Sequence, residues 1–273
     1  MTVPQPPGKQ CLAGHECPEG SADQSACVSG LYQPNVGQGA CLVCPAGKYC
    51  DQTEAIAEQQ SGAGAPSHGV VTPKDCLPGF YCPNGTESAR QYPCPVGKYS
   101  NTSNLESGSE CRLCPQGFYC EAENITQPTA QCSPGYYCVL GATTPTPSLS
   151  VRGGPCPQGF WCPQGASWPA ACPKGTYGHT DKISSESDCT ICPPGEFCDQ
   201  VSLTAPNGSC LAGFYCTNGS KQANPNGQSY GNECPPGYYC PQHSYVPLAC
   251  PKGTYNPDNQ RTNDSSYLPC DPG

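Results

Sequence analysis

One hexapeptide governs this sequence. Cys-x-x-Gly-x-aromatic recurs along its whole length, and in nine places it closes with a second cysteine as C-x5-C, from Cys11/Cys17 to Cys234/Cys240. Gly occupies the fourth position of all nine, from Gly14 to Gly237. The residue before the closing cysteine is aromatic in eight of them, namely Tyr49, Tyr81, Tyr119, Tyr137, Trp161, Phe197, Tyr215 and Tyr239, with Glu16 the exception. Four copies stay open: Cys27-Val-Ser-Gly-Leu-Tyr32, Cys94-Pro-Val-Gly-Lys-Tyr99, Cys172-Pro-Lys-Gly-Thr-Tyr177 and Cys250-Pro-Lys-Gly-Thr-Tyr255. Repetition at this density dictates architecture before any other feature.

Composition explains why the repeat must do the folding. Leu, Ile, Val and Phe together number only 32 in 273 residues, against 26 Cys, 32 Gly and 34 Pro. That is far below the aliphatic content of ordinary globular chains, so a conventional core of this size is excluded. A large α/β enzyme, a TIM barrel and a helical bundle are excluded with it. Chain entropy must be offset by disulfides. The predicted fold is therefore a set of small disulfide-rich repeats, an elongated rod of stacked loops with short β-hairpins and little helix.

Charge and chemistry narrow the setting. Only 12% of residues are charged, and the net charge is −9. A sparse acidic surface disfavours nucleic acid and anionic membranes as partners. No stretch approaches 18 apolar residues, so no membrane span is predicted. The cysteine load requires an oxidising compartment. Met1 to Gln10 carries no apolar signal region, so the expectation is either a signal peptide outside this sequence or a fragment of a larger chain. Six N-glycosylation sequons, at Asn84, Asn101, Asn124, Asn207, Asn218 and Asn263, fit a secretory route to the extracellular space or cell surface. Thr143-Thr144-Pro-Thr146-Pro-Ser148 reads as an O-glycosylation tract, or as a plain extended linker.

A longer period groups the motifs. The series C-x5-C, C, C-x2-C-x5-C restarts at Cys11, Cys76, Cys156 and Cys234. This predicts repeats over 1–75, 76–155, 156–233 and 234–273, the last truncated. Repeat 1 carries a cysteine-free insert, 51–75. Within it Asp51 to Gln60 has helical composition, enough for about two turns, and a Gly/Ser/Pro-rich loop follows. In the last repeat Tyr267 stands where Cys111 and Cys189 stand earlier, and Cys270-Asp-Pro-Gly273 aligns with Cys114-Pro-Gln-Gly and Cys192-Pro-Pro-Gly. The sequence stops inside its next motif, so the native chain is expected to continue through more repeats.

The motif has a direct physical reading. Proline fixes φ in a tight turn, and Gly serves that turn or supplies positive φ just beyond it. The ring two residues later can lie over a disulfide and supply apolar contact locally.

Cys-Pro-x-Gly-x-Tyr followed by Cys-x2-Cys resembles the cysteine-rich repeats of the ephrin-receptor-like type. It is more distantly similar to tumour-necrosis-factor-receptor and epidermal-growth-factor-like modules. Cys94 to Gly117 and Cys172 to Gly195 are the closest matches, and the resemblance extends from Cys11 to Gly273. It implies extended spacers or binding stalks without catalytic residues. By that analogy the open loops Cys27 to Cys41, Cys94 to Cys111 and Cys172 to Cys189 are self-contained hairpins closed at their ends. The C-x5-C cysteines then pair with each other or ladder to the neighbouring motif; laddering is preferred because a staggered ladder stiffens a rod. Cys250, lacking a counterpart at 267, is left to pair with Cys270 or with a residue beyond the end.

Sharper chemistry finds little support. The Cys-x2-Cys pairs lack the four-ligand spacing of zinc sites and the βαβ context of redox dithiols. His15, His68, His179 and His243 share no motif and read as surface residues. Asp258, Asn259, Asn263 and Asp264 cluster, but without EF-hand spacing, so calcium is unsupported and no cofactor other than covalent glycans is expected. The expected function is non-enzymatic: an extracellular structural protein, a glycosylated disulfide-laddered rod in a fibril, surface appendage, coat or matrix. The alternative is the stalk or ligand-binding ectodomain of a receptor or adhesion protein, with the insert 51–75 as its divergent surface. Expected partners are further copies of the chain, other extracellular proteins, and glycans.

Overall fold

A computed structural model describes residues 9–60, 69–264 and 267–270. The predicted loop at 61–68, and His68 with it, lies outside the described residues. Two compact units form: Met1–Pro115, Tyr119–Ala130 and Leu140–Thr143 make one, and Gln116–Phe118, Gln131–Val139 and Thr144–Gly273 the other. The same local construction recurs inside each.

Each motif begins with a turn. The N–H of its fifth residue donates to the carbonyl of its second, as from Lys48 to Pro45 and from Glu196 to Pro193. The Gly between them lies at φ +78° at Gly47 and +81° at Gly195. That is the third place of a type II turn, which requires positive φ. Proline therefore opens the turn, one place earlier than its sequence position suggests. Residues five and six then pair with the two residues preceding the next motif. Leu31 and Tyr32 oppose Val43 and Leu42, and Thr176 and Tyr177 oppose Ile191 and Thr190. Among the described residues twelve such two-stranded sheets form, with strands of two or three residues.

Successive motifs are joined by a repeated set of backbone hydrogen bonds. The motif Gly accepts from the N–H of the next motif's first cysteine: Cys44 to Gly30 in one unit and Cys192 to Gly175 in the other, at 2.8 and 2.9 Å. The same Gly donates to the seventh residue of that next motif, as from Gly30 to Cys50 and from Gly175 to Cys198. The seventh residue's own N–H reaches further still, as from Cys50 to Thr86 and from Cys198 to Ser220. Each bond is worth about 0.5–1.5 kcal/mol net, so repetition, not strength, couples the motifs.

A fourth bond uses a residue nine or ten places after the next motif's first cysteine. Lys182 donates to the Cys156 carbonyl, Ser202 to Cys172, His243 to Cys210 and Gln260 to Cys234, at 2.8–3.0 Å. Asn104 and Asn124 do the same in the other unit, to Cys76 and Cys94. These six are the described non-glycine residues with positive φ, from +55° to +70°. Gly37, Gly85, Gly141, Gly165 and Gly219 fill the equivalent place elsewhere. A left-handed turn residue thus serves eleven of the thirteen motifs, and six of these positions meet the requirement without Gly at a steric cost of roughly 1–2 kcal/mol each, less for Asn. Replacing Gln260 by Gly is expected to raise unfolding stability by roughly 0.5–1 kcal/mol, and Gln260→Val to lower it by at least as much. Chemical denaturation of the two variants measures both.

Twelve disulfides close the motifs. Every C-x5-C cysteine pairs within its own motif, as in Cys44–Cys50 and Cys156–Cys162. The expected laddering of disulfides between neighbouring motifs does not occur. The tight turn brings the two Cα atoms to 5.8–6.0 Å, inside bridging range, so each motif closes on itself. What ladders from motif to motif is backbone hydrogen bonding. The open motifs close through Cys27–Cys41, Cys94–Cys111 and Cys172–Cys189. Each Cys-x2-Cys is therefore split between two bridges, one closing the loop behind it and one opening the next motif.

Cys250 and Cys270 remain thiols, so no Cys250–Cys270 bridge forms. Thr254 and Tyr255 oppose Pro269 and Leu268, which matches Lys98 and Tyr99 opposing Leu113 and Arg112. Tyr267 therefore sits in the register of Cys111, and Cys270 in that of Cys114. The loop-closing place opposite Cys250 holds a phenol.

The cores are correspondingly small. Tyr32 packs on Cys44, Cys50 and Val70; Tyr49 joins Cys76, Phe80, Cys82 and Ala89; Tyr137 packs on Cys156, Cys162 and Ala166. In each case the ring at the sixth position covers the disulfide of the following motif. Burial is thus passed from motif to motif in the same direction as the hydrogen bonds.

Candidate functional site

Among the described residues, the insert is the one place where an α-helix interrupts the repeat. Gln52–Gln60 is helical. Asp51 caps it, its Oδ1 accepting from the backbone N–H groups of Thr53 at 2.8 Å and Glu54 at 3.4 Å. The helix grows from the hairpin in which Lys48–Tyr49 pairs with Lys74–Asp75. Ala55 turns onto the Cys44–Cys50 core. The Tyr49 hydroxyl donates to Glu54 at 3.1 Å, and Lys74 Nζ bridges Glu54 at 3.0 Å and Glu58 at 2.5 Å. Val70 then rejoins the backbone pattern, accepting from Gln33 at 3.0 Å. An open recess of about 290 Å³ lies beside the helix, lined by Asp51, Ala55, Glu58, Val70, Val71 and Lys74 among others.

The electrostatics of this cluster are those of a clasp. The hydrogen bond to Glu58 holds Lys74 above the usual lysine range against partial desolvation, and Glu54 reinforces it. Burial raises the Tyr49 phenol, and the hydrogen bond to Glu54 adds to the shift. Both groups are protonated more tightly in the folded chain. Their contribution is complete below the unfolded values, about 10 for Tyr and about 10.4 for Lys, and is lost as pH rises through the folded ones. The helix is therefore expected to stay docked at neutral pH and to loosen above about pH 10. Amide exchange of Ala55 and Ile56, measured with thiols blocked, should speed up there before that of Cys156 or Cys210. The ion pairs are exposed enough for solvent to screen them, so Lys74→Met should loosen the helix modestly, Asp51 and Ala55 still holding it, with little change in overall stability.

The remaining candidates fall as follows. The side chains of all six sequon asparagines are exposed. Asn84 Oδ1 accepts from the Ala46 N–H at 2.8 Å, and Asn207 Oδ1 from Asp199 at 3.3 Å. In Asn84-Gly85-Thr86 and Asn218-Gly219-Ser220 the Gly is the left-handed turn residue and the hydroxyl residue is buried. Ala142, Ala166 and Ser244 fill that buried place elsewhere, so the fold alone accounts for two of the sequon patterns. Thr146 and Ser148 are exposed, whereas Thr143 and Thr144 are half-buried. Of the eight rings, Tyr49 is buried and Tyr81, Tyr119, Tyr137, Trp161, Phe197, Tyr215 and Tyr239 are half-buried.

His15 differs from its expectation as a surface residue: it is 4% exposed, with Nδ1 3.2 Å from the Ala13 carbonyl, because it holds the fifth position that Phe80 fills in a later motif. Beside it Glu16 replaces the ring and accepts from the Cys41 N–H at 2.9 Å. His179 and His243 are exposed. Asp258 is engaged by Arg261, and Asn256 accepts from both the Asp258 N–H and Arg261 Nε, so that acidic turn is satisfied from within. Among the described residues no group of three or more His, Cys, Asp or Glu is placed to hold a metal, and no helix is long and apolar enough to cross a membrane.

Sequence reasoning missed the left-handed position. Its signal is Gly or Asn nine or ten residues after a motif cysteine, visible at Gly85, Gly141, Gly165 and Asn104.

Comparison with known proteins agrees with this construction. Residues 14–60, which include the helix, match the family described as tyrosine-protein kinase ephrin type A/B receptor-like. The chain is 28% identical over 165 residues to cysteine repeat modular protein B of Toxoplasma gondii, covering 58% of this chain and 2% of that protein. It is 27% identical over 182 residues to ABC transporter G family member 25 of Oryza sativa subsp. japonica, covering 66% of this chain and 12% of that one. It thus spans a small fraction of either relative.

Proposed function

From a chain built of tandem, disulfide-closed cysteine-rich repeats of the ephrin-receptor-like type, we propose an extracellular structural protein: a stiff, glycosylated spacer within a fibril, surface appendage, coat or matrix. The observation that carries this reading is the uniformity of the backbone bonds, which repeat from motif to motif in both units. Repeats that contact their neighbours through one recurring set of bonds can be added in series without redesign, which suits a spacer. Short covalent loops resist proteolysis, while the hydrogen-bonded joints between them yield first under load and re-form. N-glycans on the six exposed sequon asparagines would keep such a surface hydrated, and O-glycans would add to this at Thr146 and Ser148. The function is non-enzymatic and needs no cofactor. In both relatives the matching stretch is a minor part of a far longer protein, which fits a portable spacing module.

A second reading, a stalk or ligand-binding ectodomain, is favoured by one observation. The segment matching the ephrin-receptor-like family contains the helix that opens the insert, where the repeat is interrupted. Electron microscopy of the native, unreduced material separates the two. Regular filaments that lose mass on enzymatic deglycosylation support the structural reading. Single dispersed particles, or particles attached to a membrane protein, overturn it in favour of the ectodomain.

A further inference from the structure

Among residues 124–173 the one charged side chain is Arg152, in a chain whose net charge is −9. The same stretch carries the most exposed large apolar side chains among the described residues, Leu149 at 82% and Val151 at 91%, with Trp168 at 61%. They are not scattered. Tyr137 opposes Gly154 in its hairpin, and Leu149 Cδ1 and the Tyr137 hydroxyl both lie within 3.4 Å of the point where a Gly154 side chain would begin. The Tyr137 ring stacks on Trp168, with centroids 6.3 Å apart and planes at 21°. Leu149 thus neighbours the hydroxyl end of the Tyr137 ring on which Trp168 stacks, and Val151 follows two residues on in the same exposed loop.

The fold does not require this surface. The loop recurs 78 residues later with the same backbone bonds. Val139 donates to Arg152 as Thr217 donates to Tyr230, both at 2.9 Å, and the Ser150–Gly153 bridge recurs as Gln228–Gly231. There Gly227 and Ser229 stand in the places of Leu149 and Val151. The repeat itself is therefore a control for the loop tip: the same backbone bonds hold where Gly227, at φ +64°, and Ser229 replace the two aliphatics. Exposed aliphatics that folding does not need mark an interaction surface.

We infer that the surface formed by Leu149, Val151 and Trp168 is where a second copy of this chain docks. Electrostatics select that occupant. Two copies of an acidic chain repel, and they approach at least cost where acidic groups are absent. Residues 124–173 supply that place, with no acidic residue among them. The inference deepens the structural reading above and rests on it, since lateral contact between copies is what a fibril or matrix requires.

Sedimentation velocity of the full, secreted, glycosylated chain across concentration tests it. The double variant Leu149→Gly/Val151→Ser imports the residues that the equivalent loop already tolerates, so folding is preserved; an unchanged near-ultraviolet spectrum checks this. The chain should self-associate, and the variant should need at least ~10-fold higher concentration for the same mass, from the lost burial of two aliphatic side chains. Added salt should strengthen association by screening like charge. Association unchanged in the variant, association that weakens with salt, or a chain that stays monomeric throughout each overturns the inference. So does capture of a glycan or an unrelated protein on this surface in a chain that does not self-associate. The structural reading is scored separately: filaments in native material alongside an associating variant defeat the docking surface alone.

Discussion

Reduced with dithiothreitol at neutral pH, the chain is expected to lose its ordered structure in both units and to become fully protease-sensitive. Magnitudes decide this. Nine of the twelve bridges close loops with a sequence separation of 6 and three close loops of 14 or 17. Loop closure at these lengths contributes roughly 2–3 kcal/mol each. Even heavily discounted for non-additivity, twelve of them exceed the whole net stability of about 5–15 kcal/mol typical of a folded domain. Nothing else takes over. The largest fully buried side chains are mostly the cysteines themselves, and the aliphatics are mostly exposed. Loss of near-ultraviolet dichroism and rapid proteolysis on reduction would bear this out; retained amide protection would show a core that burial does not reveal.

The second large effect belongs to a glycine. Gly195 has φ +81°, and a Cβ placed there would lie 2.6 Å from the His243 carbonyl oxygen. That carbonyl is backbone, and the peptide that carries it is held on both sides, by the His243 N–H bond to Cys210 at 3.0 Å and the Ser244 N–H bond to Pro241 at 3.2 Å, so it swings aside only at a cost. Gly195→Ala therefore incurs both left-handed strain and a backbone clash, and is expected to destabilise its unit by about 3 kcal/mol or more. Gly227 provides the comparison. Its φ is +64°, and a Cβ added there would meet nothing within 4 Å, so Gly227→Ala should lose only about 1 kcal/mol. Urea denaturation of both variants decides the matter. Equal effects would mean that the turn after the next-but-one motif does not press on the motif glycine.

The motif glycines were legible because one residue type meets two demands at a fixed spacing. The open-loop closures, such as Cys94 with Cys111, followed from the resemblance. Pairing within C-x5-C was not legible: spacing leaves self-closure and laddering both open, and the choice turns on a backbone conformation at Gly47 or Gly195 that places the two Cα atoms together. The helix was visible in the composition of Asp51 to Gln60, but its clasp was not, since Lys74 lies far from Glu54 in sequence. The left-handed position hid because Lys182, Ser202, His243 and Gln260 fill it with residues that carry no turn signal. Leu149 and Val151 look ordinary in sequence; only their exposure, set against Gly227 and Ser229 in the equivalent loop, marks them.

The central claim is that each disulfide closes its own motif or loop, and that backbone hydrogen bonds and ring packing, not disulfides, couple one motif to the next. Disulfide mapping by non-reducing proteolysis and mass spectrometry tests it most directly. The account predicts Cys94 linked to Cys111, Cys114 to Cys120 and Cys132 to Cys138. A peptide joining Cys120 to Cys132, or any link between successive C-x5-C motifs, would contradict it.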